Sequence, residues 1–197
     1  MVPLEPGQLF LDGMDVTKMP LKTLRRDVAI VPQEGFLFTS TLADNLRYGE
    51  PEASDQRVEL AADQARLADD VKGFPDGFGT IVGERGITLS GGQRQRTALG
   101  RALLMSAPVL VLDDALASVD NNTAAAILDS IRDQDDRTIV MISHQLSAAA
   151  ACDRILVMEN GRIVQQGPHN ALIKQPGLYK RLWYRQQATQ QLDALAS

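Results

Sequence analysis

Three short strings carry residue types that could handle phosphate and a divalent ion. The first is Leu89-Ser90-Gly91-Gly92-Gln93, which runs into Arg94-Gln95-Arg96-Thr97-Ala98. A serine before two glycines at a helix entrance caps the helix, and it leaves backbone N–H groups open to an anion at the positive end of the helix dipole. Taken alone, such a string is a turn and a cap. The second is Val109-Leu110-Val111-Leu112-Asp113-Asp114, an apolar run that ends in adjacent carboxylates. Carboxylates at the C-terminal end of a buried parallel strand lie in the crevice where α/β proteins bind ligands, and they can hold Mg²⁺ directly or through water. The third is the run 138–142 followed by Ser143-His144, which brings one of the two histidines to the same sheet edge.

Strands and helices must hold these strings together. Short apolar runs bounded by turn residues alternate with longer periodic segments, which predicts an α/β fold, a mostly parallel sheet flanked by helices. Strands are expected at 28–31, 109–112, 138–142 and 154–158, and two of these, 28–31 and 109–112, are unbroken apolar runs, as for strands buried on both faces. Helices are expected over 55–72, 90–105, 121–132 and about 177–195. Asn160-Gly161 between two apolar runs is a hairpin signal, so the sheet is expected to end in an antiparallel pair. Residues 74–80, rich in Gly, Pro and Asp, form a loop within the domain. Neither a repeat nor a long linker interrupts the chain.

Composition narrows the partners. The 197 residues are 44% apolar and 23% charged with a net charge of −5, enough for one core or a little more and too balanced for a disordered acidic tail. No apolar stretch approaches the roughly 18 residues that span a bilayer. An acidic chain without a block of Lys or Arg lacks the charge footprint of a nucleic-acid binder, so no nucleic acid is expected. A single cysteine, Cys152, cannot form an internal disulfide and suits a reducing compartment. His169, in Gly167-Pro168-His169-Asn170, reads as a structural turn residue.

The strings taken in order resemble the ATP-binding cassette (ABC) ATPases. Leu89 to Gln93 is identical to the family's signature motif, and Val82-Gly83-Glu84-Arg85-Gly86 looks like the X-loop of its exporters. Val31-Pro32-Gln33 resembles the Q-loop, the run 109–113 the Walker B strand, Ala117-Ser118-Val119-Asp120 the D-loop, and His144 the switch histidine. Within the family, 112–120 and the ending Tyr179-Lys180-Arg181-Leu182-Trp183-Tyr184-Arg185-Gln186-Gln187 look most like bacterial MdlA-type half-transporters, which are heterodimeric exporters of the multidrug type.

The resemblance implies a P-loop NTPase-like ABC ATPase fold with a C-terminal β-hairpin and helix, a partial nucleotide-binding domain over 1–187 that includes a helical signature subdomain at about 40–106, and a C-terminal helical tail at 188–197. It implies ATP and Mg²⁺ as cofactors. Asp113 and Gln33 would serve the metal, and Asp114, His144 and Gln33 the reaction. Ser90, Gly91, Gly92 and Gln93 would bind the nucleotide held by a second ABC half-transporter subunit, and Asp120 would couple the two sites. A transmembrane domain fused upstream and a position on the cytoplasmic face of the bacterial inner membrane are implied as well.

Two departures from the family pattern stand out. A cassette needs Gly-x-x-x-x-Gly-Lys-Ser/Thr to cradle the phosphates, and none of the five lysines here, at 18, 22, 72, 174 and 180, follows a glycine. By the resemblance, residues 5–15 come shortly after the P-loop helix, so that element and its strand are expected upstream of Met1. Asp114 stands where hydrolytic sites of the family carry glutamate, which implies a slow, degenerate site at this subunit and a competent one completed in trans by its signature. Two other readings remain open in the sequence: a soluble ABC ATPase of DNA repair or translation, and a non-catalytic partner-binding module.

Overall fold

The apolar runs around Val28, Val109 and Thr138 lie side by side as parallel strands, for none contains a proline or glycine that would break the hydrogen-bonded ladder. The structure is a computed structural model and describes residues 3–83, 86–132 and 137–196. It divides into two units, Met1–Ile142 and Ser143–Ser197.

In the first unit the strands are β1 (Phe10–Leu11), β2 (Met14–Asp15), β3 (Val28–Val31), β4 (Ser40–Thr41), β5 (Ile81–Val82), β6 (Val109–Asp113) and β7 (Thr138–Ile142). The helices are α1 (Leu21–Asp27), α2 (Leu42–Arg47), α3 (Asp55–Gln64), α4 (Ala68–Lys72), α5 (Gly91–Leu104) and α6 (Asn121–Arg132). Strand β6 lies between β3 and β7, with Val31 opposite Leu112 and Asp113 opposite Ile142. This register aligns the C-terminal ends of the three strands at one edge.

The sheet is covered unevenly. Ala29, Val31, Leu110 and Leu112 are buried, whereas Ile30, Val140 and Ile142 are 61%, 46% and 53% exposed. Burial on both faces, the expectation for continuous apolar runs, therefore holds for one face only. The described helices of the unit leave the face of Ile30 and Val140 open.

A second hydrophobic cluster is drawn from residues between 42 and 104. Leu42 and Leu46 of α2, Val58 of α3, Val71 of α4, Val82 of β5 and Leu104 of α5 meet in it. Thr41 caps α2 and Ser54 caps α3 through their side-chain oxygens. The helix expected over 55–72 is in fact two helices. Arg66 adopts φ +55°, its amide donates to the Asp63 carbonyl, and the amide of Leu67 donates to the Ala62 carbonyl. This pair of bonds is a Schellman turn. The turn lets Leu67, fully buried, enter the cluster ahead of α4, a tertiary gain that the helical periodicity of the sequence does not register.

The second unit contains α7 (Leu146–Ala150), β8 (Ile155–Glu159), β9 (Arg162–Gly167), α8 (His169–Leu172) and α9 (Leu178–Ala196). Asn160 and Gly161 turn the hairpin with φ +50° and +74°, the pattern of a type I′ turn. The hairpin was expected to close the main sheet; among the described residues it is a two-stranded sheet of its own. Its buried residues Ile155 and Val157 join Leu172 and Tyr179 in a small separate core. His169 belongs to that core, with Nδ1 2.8 Å from the Tyr179 hydroxyl and its ring 4.5 Å from that of Trp183. Among the described residues no helix is long and apolar enough to cross a membrane.

Candidate functional site

The N-terminus of α5 is built by its own first turn. Ser90 accepts from the Gln93 amide through Oγ at 3.2 Å, and its own amide donates to Gln93 Oε1 at 2.9 Å, a reciprocal capping box. The first four amides of a helix have no partner within it. Here that of Ser90 is taken by Gln93 Oε1 and that of Gln93 by Ser90 Oγ, while Arg94 already makes the first helical bond, to the Ser90 carbonyl. The amides of Gly91 and Gly92 are those left to face an anion, at the positive end of a helix 14 residues long.

Asp70 of α4 fixes this helix end from the side. One of its carboxylate oxygens accepts from Gln93 Nε2 at 2.9 Å, and the other pairs with Arg96 Nη2 at 2.5 Å. The side chain of Gln93 is thus engaged at both ends inside the protein, as part of the cap.

Beside the cap runs the loop that follows β6. Asp113 ends the strand opposite Ile142. Asp114 takes φ +48°, a left-handed conformation that aspartate tolerates, and its amide donates to the Ile142 carbonyl at 2.8 Å. The loop then brings Ser118 against α5, where a Cβ on Gly92 would lie 2.9 Å from the Ser118 carbonyl oxygen. Only glycine permits that approach. Asp120 accepts from the amides of Asn122 and Thr123 at 3.1 and 3.0 Å and so caps α6. The Thr123 amide, then its hydroxyl, hold the Asp120 carboxyl below the usual carboxylate range.

Gln33 lies two residues beyond β3, at the same edge as Asp113, and is exposed. Its carbonyl accepts from Gln95 Nε2 at 3.3 Å. A parallel-sheet edge, an open helix N-terminus and paired carboxylates are therefore assembled in the first unit, in the chain order Gln33, Ser90, Asp113, Asp120.

The family model for the ABC transporter matches residues 1–117, well over half of the chain. The chain belongs to the ABC transporter family. It is 42% identical over 188 residues to the ATP-dependent lipid A-core flippase of Chromobacterium violaceum, covering 95% of this chain and 32% of that protein. It is 38% identical over 193 residues to the mitochondrial iron-sulfur clusters transporter ATM1 of Saccharomyces cerevisiae, covering 96% of this chain and 28% of that one. Among solved structures, a bacterial Atm1-family ABC exporter with ATP bound superposes with a TM-score of 0.86 at 40% identity, over 90% of this chain and 31% of the other. The fold is that of the ABC ATPase domain. The chain spans about a third or less of the length of these relatives.

The first unit presents groups whose chemistry fits a nucleotide and its metal. The open amides of Gly91 and Gly92 fit a phosphate oxygen. Mg²⁺ is commonly held by one or two carboxylates together with phosphates and water, and Asp113 with Asp114 fits that donor set. No cluster of three or more His, Cys, Asp or Glu residues that could hold a metal by itself exists among the described residues. His144 follows β7 by two residues, belongs to the second unit and is exposed, and its carbonyl accepts from Gln186 Nε2 at 3.3 Å. Glu84 and Arg85 of the X-loop string lie outside the described residues.

Gln95 escaped the reading of the sequence. The available signal was a polar residue on the face of α5 that otherwise buries Ala98, Leu99 and Ala102.

Proposed function

We propose that this ABC domain binds and hydrolyses ATP as part of an exporter of a small or lipophilic substrate, and that it works as the degenerate-site half of a heterodimer of the MdlA type. The observation that carries the reading is the capped, open N-terminus of α5 packed against the loop that leaves Asp113. Bound Mg-ATP supplies the transferable phosphoryl group and the neutralising cation. Asp113, helped by Gln33, would hold the metal. Ser90 and the amides of Gly91 and Gly92 close on the nucleotide of a second ABC subunit, with Gln93 locking the helix end in place. By the family resemblance, Asp120 would link the two shared sites and His144 would contact the terminal phosphate. A transmembrane domain in the same polypeptide would hold the domain at the cytoplasmic face of the bacterial inner membrane.

Asp114 supports the heterodimer. Aspartate is one methylene shorter than glutamate, which withdraws its carboxylate by roughly 1.5 Å from a water that a general base must approach to about 2.6–3.2 Å. A slow site here, beside an intact signature string, fits a subunit that helps its partner to hydrolyse.

The test is a chimera in which this chain replaces the matching segment of the bacterial Atm1-family exporter, whose own sequence supplies the P-loop. ATP-dependent turnover is expected when the chimera is paired with an unaltered subunit. An inactive pair, with Asp114→Glu failing to restore turnover, overturns the reading.

A further inference from the structure

Gln95 lies on α5 one turn beyond the cap and is 7% exposed. Its side chain serves two distant segments at once. Oε1 accepts from the Ser118 amide at 2.9 Å, and Nε2 donates to the Gln33 carbonyl at 3.3 Å. Neither backbone group belongs to a helix or strand ladder, so each depends on this side chain or on water for its partner. A carboxamide offers a donor and an acceptor on the same carbon, and asparagine would fall one methylene short. Gly92, three residues earlier on the same face, brings Ser118 in close. The carbonyl of Ser118 is therefore packed against the helix while its amide is bonded to it.

We propose that Gln95 is a positioning residue of the nucleotide site. Its amide ties the segment of Gln33 to the loop of residues 118–120 through α5, so that Gln33, Asp113 and Asp120 keep their relative places as the signature helix engages a nucleotide. The proposal rests on the ATPase reading for its catalytic consequence and on the two hydrogen bonds alone for the bridge. Gln95 itself touches no nucleotide in this scheme, and its loss should act on turnover rather than on affinity.

Two variants separate the arms. Gln95→Met keeps the length and loses both bonds, whereas Gln95→Glu keeps an acceptor for Ser118 and loses the donor to Gln33. In the 197-residue chain, amide exchange at Ser118 should accelerate about fivefold to tenfold in Gln95→Met and stay near wild type in Gln95→Glu. The ¹⁵N shift of Glu34, which reports the state of the Gln33 carbonyl, should move in both. Exchange at Thr123, bonded to Asp120, is the control for an intact fold. Unchanged Ser118 exchange in Gln95→Met overturns the bridge, whatever the chain does with ATP. In the chimera, Gln95→Met should lower kcat by about tenfold or more and leave KM for ATP within about twofold. A rise in KM at constant kcat, or no change in either, overturns the positioning role while leaving the ATPase reading intact. Inactivity of the unmutated chimera removes the catalytic half with the reading beneath it, and the exchange result still judges the bridge.

Discussion

The amide of Asp114 donates to the carbonyl of Ile142 at 2.8 Å while Asp114 holds φ +48°. The bond pins the residue after the β6 strand to the end of β7, so the chain leaves the sheet at a fixed angle and the carboxylate of Asp114 starts from a fixed point. Side-chain length is then the variable that sets its reach. Asp114→Glu in the chimera should raise turnover at this site by about tenfold or more, at the general-base scale, against a left-handed strain of about 1 kcal/mol already borne by the aspartate. Single-turnover ATP hydrolysis measures it, and equal rates for the two residues would dismiss reach as the cause.

Ser90→Ala removes the acceptor for the Gln93 amide and leaves one arm of the capping box. A loss of about 1 kcal/mol is expected, read as a lower urea midpoint with an unchanged slope. Ser90→Asp, which restores an acceptor, should recover most of it. If alanine and aspartate behave alike, the cap contributes nothing to the fold.

Asp120 gives a pH signature. Its carboxyl is held below the usual range by the Thr123 amide and hydroxyl, so the folded state favours the charged form. The associated stability is present above the unfolded-state pKa of about 3.9 and is lost as pH falls through the lower folded value. Amide exchange at Thr123, corrected for its intrinsic rate, should therefore increase below about pH 4, and Asp120→Asn, a neutral cap, should remove that dependence. A pH-independent profile in the wild-type chain would contradict the assignment.

The bare sheet face has its own readout. Ile30 and Val140 stand exposed in register with Val111 between them. An apolar face of this kind binds hydrophobic dyes and promotes association. Ile30→Lys should reduce both the fluorescence of an anilinonaphthalene dye and the concentration dependence of sedimentation. Unaltered dye binding would place the sticky surface elsewhere.

Much of this was legible in the residues. Apolar runs located β3, β6 and β7 even though only one face of the sheet is buried, and Asn160-Gly161 located the hairpin because few other pairs accept two positive φ values. The Ser90 cap and the Asp113 strand end followed from residue type and position. What the pattern could not show was long-range. The Schellman turn at Arg66 exists so that Leu67 can be buried, a gain made with residues far away in the chain. The two hydrogen bonds of Gln95 join segments 23 and 62 residues distant, and local periodicity carries no trace of either partner. The open sheet face likewise depends on which helices pack where, and the strands read the same with or without a cover.

The contact between Gly92 and Ser118 constrains how this protein can change. The atom that a methyl group at 92 would strike belongs to the main chain, so the obstruction is the same whichever amino acid occupies 118. Exchanging the serine cannot relieve Gly92→Ala. A suppressor of that mutation has to shift the path of the loop itself, and a genetic screen should accordingly recover compensating changes at its flanks, by insertion or deletion or at Ala115 and Val119, and none by simple replacement at 118.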